Sequence, residues 1–514
     1  MVNEVMTMAL FGIDCIPVTV EADISSGLPG IDMIGMLGTE VREARERVSV
    51  ALKNSGVDIP PKKITISLSP GDVRKEGTGF DLAIAAALLI CMDIIPRESL
   101  RDTVVIGEVG LDGSLRHVNG VLPVVIGAQR KGIRRIVLPK VNVNEAAVIE
   151  GMDIVGISDI KNLIEVFSGS DIDCIPKVQG IYVKSDINYD SIPDYIDIRG
   201  QEAVKRGMCI AAAGFHNVLM IGPPGSGKSM AAKRLPSIMP PLTYNECIEV
   251  SKIYSVSGLL GEDKRLITSR PFIQPHHTSS DVSMAGGGRI PRPGMISLAH
   301  KGVLFLDEVV HFNTSALEIL RQPIEDKKIH VARMNWNYDF PADFMLVAAM
   351  NPCPCGYYPD MNKCKCTPEQ IRRYIGRLSG PLLDRIDICM DIPRLDIEDM
   401  TRLSAGRSSS DMREDVMRAI DMQKRRYEKE MIDFNSQLSA SNIDKYIELG
   451  VNERHTLENI CNKLELSLRA YHRILKVSRT IADMEGAEQI ESKHIMEAVC
   501  YRSVEDKYWG NING

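Results

Sequence analysis

The sequence predicts a multidomain α/β protein, in which a central doubly wound parallel sheet lies between a mixed α/β region and an all-helical region. The chain of 514 residues is too long for a single hydrophobic core. In its middle, continuous apolar runs, typical of buried parallel strands, alternate with helical patterns. From about residue 411 onward, only helical periodicity remains.

Polar stretches with scattered Ser, Asp, Gly and Pro divide the chain into three domains joined by two linkers. The predicted boundaries are 1–167 for the N-terminal domain, 168–196 for a linker, 197–393 for the central domain, 394–411 for a second linker, 412–507 for the helical region and 508–514 for a tail. The first linker carries one short apolar piece at 180–183.

Apolar runs bounded by turn residues predict the individual elements. Strands are predicted at Ile64–Leu68, Thr103–Ile106, Ile133–Leu138, Asn217–Ile221, Gly302–Leu306 and Phe344–Ala349. Helices are predicted at Phe80–Met92, Lys228–Leu235, Met412–Met431, Ser441–Leu449, Glu453–Lys463, Ser467–Met484 and Ser492–Tyr501. The last four have Ser or Asn near the start, as helix caps require.

Composition is that of a globular protein, with 44% hydrophobic and 25% charged residues. Because the net charge is -7, any nucleic-acid surface has to be a local patch. The longest uncharged apolar helix, Leu82–Met92, falls short of the ~20 residues that a membrane span needs. The first residues also lack the basic region of a signal peptide, so we expect a cytoplasmic protein with no membrane contact and with mostly free thiols among its 12 cysteines.

A phosphate-binding loop is predicted where G-x-x-x-x-G-K-[ST] stands between a strand and a helix. Its residues are Gly222, Pro223, Pro224, Gly225, Ser226, Gly227, Lys228 and Ser229. The backbone N–H groups of such a loop bind phosphates, its lysine reaches the β and γ phosphates, and Ser229 would hold Mg²⁺. The sequence therefore predicts ATP and Mg²⁺ as cofactors, against the alternative of a Gly-rich turn without function.

Polar residues at the ends of the next apolar runs supply the other parts of a hydrolytic site. Asp307 and Glu308 end one run, where Asp307 would support Mg²⁺ and Glu308 would polarise the attacking water. Asn351 ends the following run and would orient that water; a surface acid pair and an Asn turn cap are the alternatives. Arg385, flanked by acids, is either a simple ion pair or an arginine finger for a neighbouring subunit.

Segments in the central and helical regions carry a family resemblance. They are Asp197–Glu202, Ala211–Asn217, Gly222–Ser229, Leu235–Leu242, Pro275–Thr278, Gly286–Gly294, Ile296–Gly302, Leu320–Pro323, Asn351–Gly356, Gly380–Ile388 and Ser467–Leu475. Taken together and in this order, the segments resemble those of the YifB/ComM family, which belongs to the magnesium-chelatase-like branch of the AAA+ ATPases. The resemblance covers nearly the whole chain. The resemblance implies an AAA+ core with a C-terminal helical lid, and it places Ile198 and Gly200 near the adenine.

The resemblance also implies a ring, specifically a hexamer, with each ATP site between two subunits. It assigns Asn351 as sensor 1, Arg385 as the trans-acting finger and Arg469 as sensor 2, with Arg473 as the rival for that last role. In this branch the long helix before the lid, here about 412–432, displaces the lid. Sensor 2 is then expected to serve a neighbour's nucleotide rather than its own.

Relatives in this branch that pump DNA carry two inserts facing the ring pore, which correspond here to Pro275–Gly294 and Lys327–Phe340. The DNA-contact candidates in these inserts are Arg289, Arg292, Lys327, Lys328, Arg333 and Trp336, with Tyr338 as a second base-stacking ring. A solvated hairpin without DNA is the alternative. After Glu308, relatives usually have Leu-Pro-Glu-Phe, whereas residues Val309–Phe312 of this chain are Val-Val-His-Phe. This departure leaves any coupling role of that turn open.

The N-terminal domain resembles the Lon-protease-like domain that also ends the RadA recombination protein. Gly77–Ala83 and Gly107–Gly113 carry this resemblance. A protease of that fold needs a Ser nucleophile with a Lys partner, and Gly77–Ala83 contains no Ser. The domain is therefore expected to be non-proteolytic, serving as a docking or DNA-contact module.

Four cysteines follow Asn351 in the spacing C-x-C-x₈-C-x-C. They are Cys353, Cys355, Cys364 and Cys366. Four thiolates can bind Zn²⁺ tetrahedrally, although C-x-C is tighter than the usual C-x₂-C. The sequence favours a structural zinc over four reduced loop thiols.

Three functions fit these residues. The first is an ATP-driven motor on single-stranded or branched DNA, a hexameric helicase that promotes branch migration in recombination or natural transformation. The second is a magnesium-chelatase-type motor subunit or another remodelling ATPase without DNA; it is disfavoured because such motors lack the Lon-like N-terminus and this chain shows no integrin-like domain. The third, a nucleotide-locked scaffold, is disfavoured because a complete set of hydrolytic residues is kept.

Overall fold

The computed structural model describes residues 3–169, 177–180, 192–261, 265–288, 290–333, 336–394, 406–430, 432–464 and 466–509. Arg289, the side chains of Arg333 and Trp336, and residues 181–183 of the predicted apolar piece lie outside this description. Among the described residues, no helix has the length and apolar character needed to cross a membrane.

The chain forms three bodies of secondary structure in sequence order. The strands are β1 (Asn3–Phe11), β2 (Asp14–Ser25), β3 (Gly30–Ile34), β4 (Lys63–Ser69), β5 (Thr103–Val105), β6 (Glu108–Val109), β7 (Leu115–Arg116), β8 (Arg135–Pro139), β9 (Asp153–Ile157), β10 (Val178–Gln179), β11 (Val218–Ile221), β12 (Phe272–Ile273), β13 (Gly286–Gly287), β14 (Arg292–Pro293), β15 (Val303–Leu306), β16 (Lys328–Arg333), β17 (Trp336–Pro341), β18 (Met345–Met350) and β19 (Ile388–Asp391).

The α-helices cover the faces of the sheets and make up the C-terminal region. They are α1 (Thr39–Asn54), α2 (Asp81–Cys91), α3 (Val121–Arg130), α4 (Val143–Ala146), α5 (Ile160–Phe167), α6 (Glu202–Gly214), α7 (Lys228–Arg234), α8 (Tyr244–Ser257), α9 (Asp281–Ala285), α10 (Met295–Leu298), α11 (Thr314–Ile319), α12 (Arg321–Asp326), α13 (Pro368–Ile375), α14 (Gly380–Leu383), α15 (Ser409–Arg426), α16 (Ala440–Tyr446), α17 (Val451–Lys463), α18 (Leu468–Met484) and α19 (Ser492–Trp509).

The N-terminal domain is a mixed sheet in the order β10-β9-β8-β5-β1-β2-β4-β3, with the apolar helix α2 buried against β1 and β2. The predicted strands β4, β5 and β8 and the predicted helix α2 are confirmed. Asp81 at the start of α2 is fully buried and is paired with Arg47 of α1 at 2.9 Å. Part of the predicted first linker joins this sheet, because β10 pairs antiparallel with β9 at its edge.

The central domain is a five-stranded parallel sheet in the order β12-β15-β18-β11-β19. Its three middle strands are buried on both faces, as the continuous apolar runs predict. Val218 and Met220 pack into a core with α6, while Leu219 and Ile221 pack into a core on the opposite face. The doubly wound parallel sheet is therefore confirmed.

The C-terminal region is helical over its described residues, as predicted. Helix α15 begins at Ser409, earlier than predicted, because Ser408 and Asp411 form a reciprocal capping box there. Helix α19 continues past its predicted end to Trp509, because the buried ring of Tyr508 adds a contact to the sheet through Asp391.

Both inserts fold as hairpins. The first pairs β13 with β14 and the second pairs β16 with β17 over six residue pairs. The second hairpin lies against the N-terminal domain, where the ring of Tyr338 contacts that of Phe11 with centroids 4.6 Å apart.

Candidate active site

The polar residues predicted for the phosphate site converge at the carboxyl edge of the central sheet. The phosphate-binding loop follows β11, Asp307 follows β15 and Asn351 follows β18, and these three strands are direct parallel neighbours. Gly225 and Gly227 have φ of +75° and +89°, a conformation that favours glycine and lets the loop curl before α7.

Lys228 lies at the centre of this group. Its Nζ donates to the carbonyl oxygens of Gly222 and Pro223 at 2.7 and 2.9 Å and to Asn351 Oδ1 at 3.3 Å. Burial lowers the pKa of Lys228, while the charges of Asp307 and Glu308 oppose that shift. The Lys228 ammonium and the amide of Asn351, the predicted sensor 1, therefore lie next to each other in front of the phosphate-binding loop.

The two residues predicted for Mg²⁺ are also brought together. Ser229 Oγ donates to Asp307 Oδ2 at 2.8 Å, so a hydroxyl and a carboxylate meet beside the loop. Hard oxygen ligands of this kind suit Mg²⁺, which keeps several waters and binds through a few protein groups and substrate phosphates. The donor set thus fits the ion that the sequence predicts.

Glu308 sits at a bend directly after Asp307. Its φ is +50°, and its backbone N–H donates to Asp307 Oδ1 at 3.1 Å. The bend leaves the Glu308 side chain exposed beside the phosphate loop, where a carboxylate can act on a water. Val309 and Val310, in the unusual sequence that follows, are buried in the core instead.

The segment predicted to lie near the adenine contacts the phosphate loop. Ile198 is buried and Gly200 has φ of +64°. The following residue, Gln201, donates from Nε2 to Ser226 O at 2.8 Å and to Pro393 O at 3.4 Å. Sequence reasoning did not single out Gln201, although it lies in a family segment and its left-handed backbone turn starts α6.

The predicted arginines lie at the opposite edge of the sheet. Arg385 precedes β19, and its carbonyl accepts a hydrogen bond from Asn217 Nδ2 at 2.9 Å, just before β11 begins. Strand β11 rises roughly 3.3 Å per residue over its length, so the loop after it starts about 13 Å away from this point. Within its own chain, Arg385 is held by Glu325 at 2.6 Å.

Both candidates for sensor 2 lie beside Arg385 rather than beside the phosphate loop. Arg469 is exposed and its Nη1 is 3.9 Å from Asp384. Arg473 is largely buried, 3.8 Å from Asp387, and donates to Ile386 O at 3.3 Å. We call Arg385, Arg469 and Arg473 the arginine cluster.

Asp387 is the acidic partner of Arg473 in the arginine cluster. Burial alone would raise its pKa, but the hydrogen bond and charge of His216, with Arg473 and Lys476 nearby, lower the pKa of Asp387 to about 2. His216 is fully buried and also contacts Thr480 at 2.8 Å, so this network ties α18 to the sheet. Asp387 and His216 lie in segments that carry the family resemblance, but no sequence motif predicted a role for either residue.

The DNA-contact candidates differ in their surroundings. Arg292 and Lys328 are exposed on the two hairpins. Lys327 instead forms an ion pair with Asp343 at 3.3 Å at the base of the second hairpin. Tyr338 does not present a free ring for base stacking, because it packs on Phe11.

The four predicted zinc ligands come together after Asn351. The Sγ atoms of Cys353, Cys355, Cys364 and Cys366, which we call the cysteine cluster, all lie within 4.8 Å of one another. Three of the pairs are separated by 3.3, 3.8 and 3.6 Å. Four Zn–S bonds of ~2.3 Å in a tetrahedron place neighbouring sulfurs about 3.8 Å apart, so the thiols fit one zinc ion.

Comparison with known proteins gives matches along the whole chain. Residues 194–400 match the family model of magnesium chelatase, subunit ChlI; residues 20–142 match a second model of this subunit, and residues 406–502 match the model of its C-terminal part. Part of the N-terminal region is also 34% identical to Lon protease 2 of Thermus thermophilus, over 130 residues that cover 24% of this chain and 16% of that protease.

Two relatives match over nearly their full length. The YifB protein of Salmonella typhimurium is 42% identical over 502 residues, covering 98% of this chain and 97% of the relative. The competence protein ComM of Haemophilus influenzae is 40% identical over 505 residues, covering 97% of each. With the parallel sheet and the convergent phosphate site, these matches establish that the chain belongs to the YifB/ComM family of magnesium-chelatase-like AAA+ ATPases.

Proposed function

We propose that this protein is an ATP-hydrolysing ring motor that acts on DNA, specifically a hexameric helicase that promotes branch migration in recombination or natural transformation. Its cofactors are ATP and Mg²⁺, with a structural Zn²⁺ at the cysteine cluster. The observation that carries the proposal is the separation of the arginine cluster from the phosphate loop of the same chain.

The chemistry at the phosphate loop follows from the contacts of its side chains. Lys228 binds the β and γ phosphates, and Ser229 with Asp307 binds Mg²⁺, which supplies charge to the phosphate oxygens when it is bound. Glu308 accepts a proton from the attacking water, and Asn351 orients that water from beside Lys228. All five side chains lie at one edge of the sheet, so one subunit can bind ATP by itself.

Charge stabilisation on the transferred phosphoryl group requires another cation. The arginine cluster lies at the far edge of the sheet, too distant to reach the chain's own loop. A second copy of the chain can bring its arginine cluster to the loop, and repetition of this heterologous contact closes a ring. The ion pair with Glu325 holds the Arg385 side chain, which is only 12% exposed, so a neighbour's nucleotide has to draw the guanidinium away from this contact.

DNA is the proposed load of this ring. The second hairpin starts at the same edge of the sheet as the arginine cluster, through Asp343 just before β18, and it exposes Lys328. Arg292 is exposed on the first hairpin. Cations on two neighbouring hairpins can follow a phosphate backbone, and the relative named competence protein ComM supports a role on transforming DNA.

The competing function is a magnesium-chelatase-type motor subunit, which the matched family models favour. Both functions need the same ATPase site, so only the load separates them. We expect ATP hydrolysis to rise with single-stranded or four-way-junction DNA, and a labelled junction to be unwound. An ATPase rate that does not change when DNA is added, together with no DNA binding and no unwinding, would assign the chain to the competing function.

Mixing two inactive variants tests the shared site directly. The Arg385→Ala and Lys228→Ala variants should each still assemble into rings but lose ATPase activity. For Arg385→Ala we expect the rate of hydrolysis to fall about 10³-fold, as for other arginine fingers. In an equimolar mixture, a quarter of the interfaces join an intact loop to an intact arginine. The mixture should therefore recover up to about a quarter of the native rate if the ring is cyclic. If Arg385 is only a structural ion pair, the single variant will hydrolyse ATP normally.

A further inference from the structure

The first two residues of the cysteine cluster, Cys353 and Cys355, lie in the chain between two residues that contact the phosphate loop. Only Pro352 separates Asn351 from Cys353, and Gly356 follows Cys355 at once. Asn351 Oδ1 accepts from Lys228 Nζ at 3.3 Å. On the other side, a Cβ atom added to Gly356 would lie 2.5 Å from Pro224 Cδ, so this glycine packs tightly on the phosphate loop.

We propose that Zn²⁺ bound by the cysteine cluster fixes the positions of the Asn351 side-chain amide and of Pro224 in the phosphate loop. Both residues are then correctly placed when ATP binds. This inference rests on the proposed ATPase function and adds a metal requirement to it. The Cα atoms of residues two apart lie at most about 7 Å from each other even in a fully extended chain, so fixing Cys353 also restricts Asn351.

A backbone donor faces one of the sulfurs of the cysteine cluster. The backbone N–H of Tyr358 points to Cys353 Sγ at 3.4 Å. Backbone donors of this kind offset negative charge on zinc-bound sulfurs and orient them.

The loop between the two cysteine pairs has little regular structure to hold it in place. It consists of turns, in which Asp360 O accepts from the N–H groups of Lys363 and Cys364 at 3.1 and 2.8 Å. Helix α13 begins only at Pro368. A bound metal would join both ends of this loop. Because Cys353 and Cys355 would then be fixed, the neighbouring residues Asn351 and Gly356 would also be less mobile.

Two variants separate metal binding from its consequence. Cys364→Ser/Cys366→Ser keeps the first pair and removes two ligands, whereas Cys500→Ser changes an exposed thiol on α19 as the matched control. Gly356→Ala keeps all four ligands but adds a methyl group at φ of +84° against Pro224. The full-length proteins are purified anaerobically, and zinc per chain, basal ATPase kcat and KM, and affinity for a fluorescent ADP analogue are measured.

We expect about one zinc per chain in the native protein and the Cys500→Ser control, and a loss of zinc with a fall of about tenfold or more in kcat in the double variant. Gly356→Ala should retain zinc and bind the ADP analogue about tenfold more weakly. Clearly less than one zinc in the native protein overturns the metal site. Zinc loss without change in kcat, or normal ADP affinity in Gly356→Ala, overturns the positioning role.

The zinc and ADP measurements do not depend on DNA. If the native protein binds zinc and hydrolyses ATP but neither binds nor unwinds DNA, only the proposed action on DNA would therefore be contradicted. A native protein with no hydrolysis would contradict the proposed motor, and the zinc content and ADP affinity of the variants would still decide this inference.

Discussion

The two edges of the central sheet are built from different side chains. The carboxyl edge combines one buried lysine with hydroxyl, amide and carboxylate groups that contact one another, as in Lys228–Asn351 and Ser229–Asp307. The amino edge instead gathers arginines around acids at Asp384 and Asp387. The first edge brings together the residue types that bind a nucleotide and its metal, whereas at the second edge Arg469 is the one member of the arginine cluster with a largely exposed side chain.

Under the proposed function, one chain supplies the residues that bind the nucleotide, and a neighbouring chain supplies the arginine for hydrolysis. Strand β11 connects the edges, because Asn217 at its start holds the Arg385 carbonyl and Gly222 follows its end. Asn217 Oδ1 also accepts from Leu346 N at 2.8 Å, which joins the start of β18 to the same point. Under the proposed ring assembly, a shift at the amino edge would reach the phosphate loop through two adjacent strands.

The largest effect is expected at the carboxyl edge. Glu308→Gln removes the base but keeps the size of the side chain, so kcat should fall by about 10²- to 10⁴-fold with nucleotide affinity unchanged. Rates and ADP affinity are measured on assembled protein, with Glu98→Gln, at an exposed carboxylate of the N-terminal domain, as the matched control. Turnover within tenfold of the native rate would assign the proton transfer to another group.

Much of this arrangement could be predicted from the sequence. The phosphate loop, Asp307 and Asn351 end apolar runs, and parallel strands bring such ends together, so their convergence follows from periodicity alone. The cysteine cluster followed from spacing in one loop. These predictions needed only contacts that are local or fixed by strand order.

The remaining features depend on contacts between distant segments, which no local pattern encodes. The pairing of Arg385 with Glu325 and the packing of Tyr338 on Phe11 join residues whose sequence neighbours do not reveal a partner. The β1–β2 hairpin that opens the N-terminal sheet was not predicted. Strand β10 was hidden in a polar linker, because an edge strand of two residues has too short a pattern to detect.

A smaller effect separates the two sensor 2 candidates at the amino edge. Arg469 is exposed, so Arg469→Ala should change the free energy of unfolding by no more than about 0.5 kcal/mol. If it contacts a neighbour's nucleotide, kcat should still drop about tenfold in the ring. Arg473→Ala removes a buried partner of Asp387 and should cost about 3 kcal/mol of stability.

Urea unfolding followed by circular dichroism and ATPase rates distinguish these outcomes. An Arg469→Ala variant with native kcat would leave Arg473 as the sensor candidate. In that case the more conservative Arg473→Lys, which keeps the charge near Asp387, should keep most of the stability but lose rate.

The smallest effect concerns the hairpin that starts at the amino edge. Lys328 is exposed, whereas Lys327 is paired with Asp343, so the neighbouring lysines form a matched pair of test sites. Lys328→Gln should weaken DNA binding a few-fold and reduce the slope of log K against log salt by about 1, with stability unchanged. Lys327→Gln should lower stability and leave that slope at its native value. Fluorescence anisotropy of labelled single-stranded DNA at several salt concentrations measures both, and equal slopes in all three proteins would remove this hairpin from the DNA path.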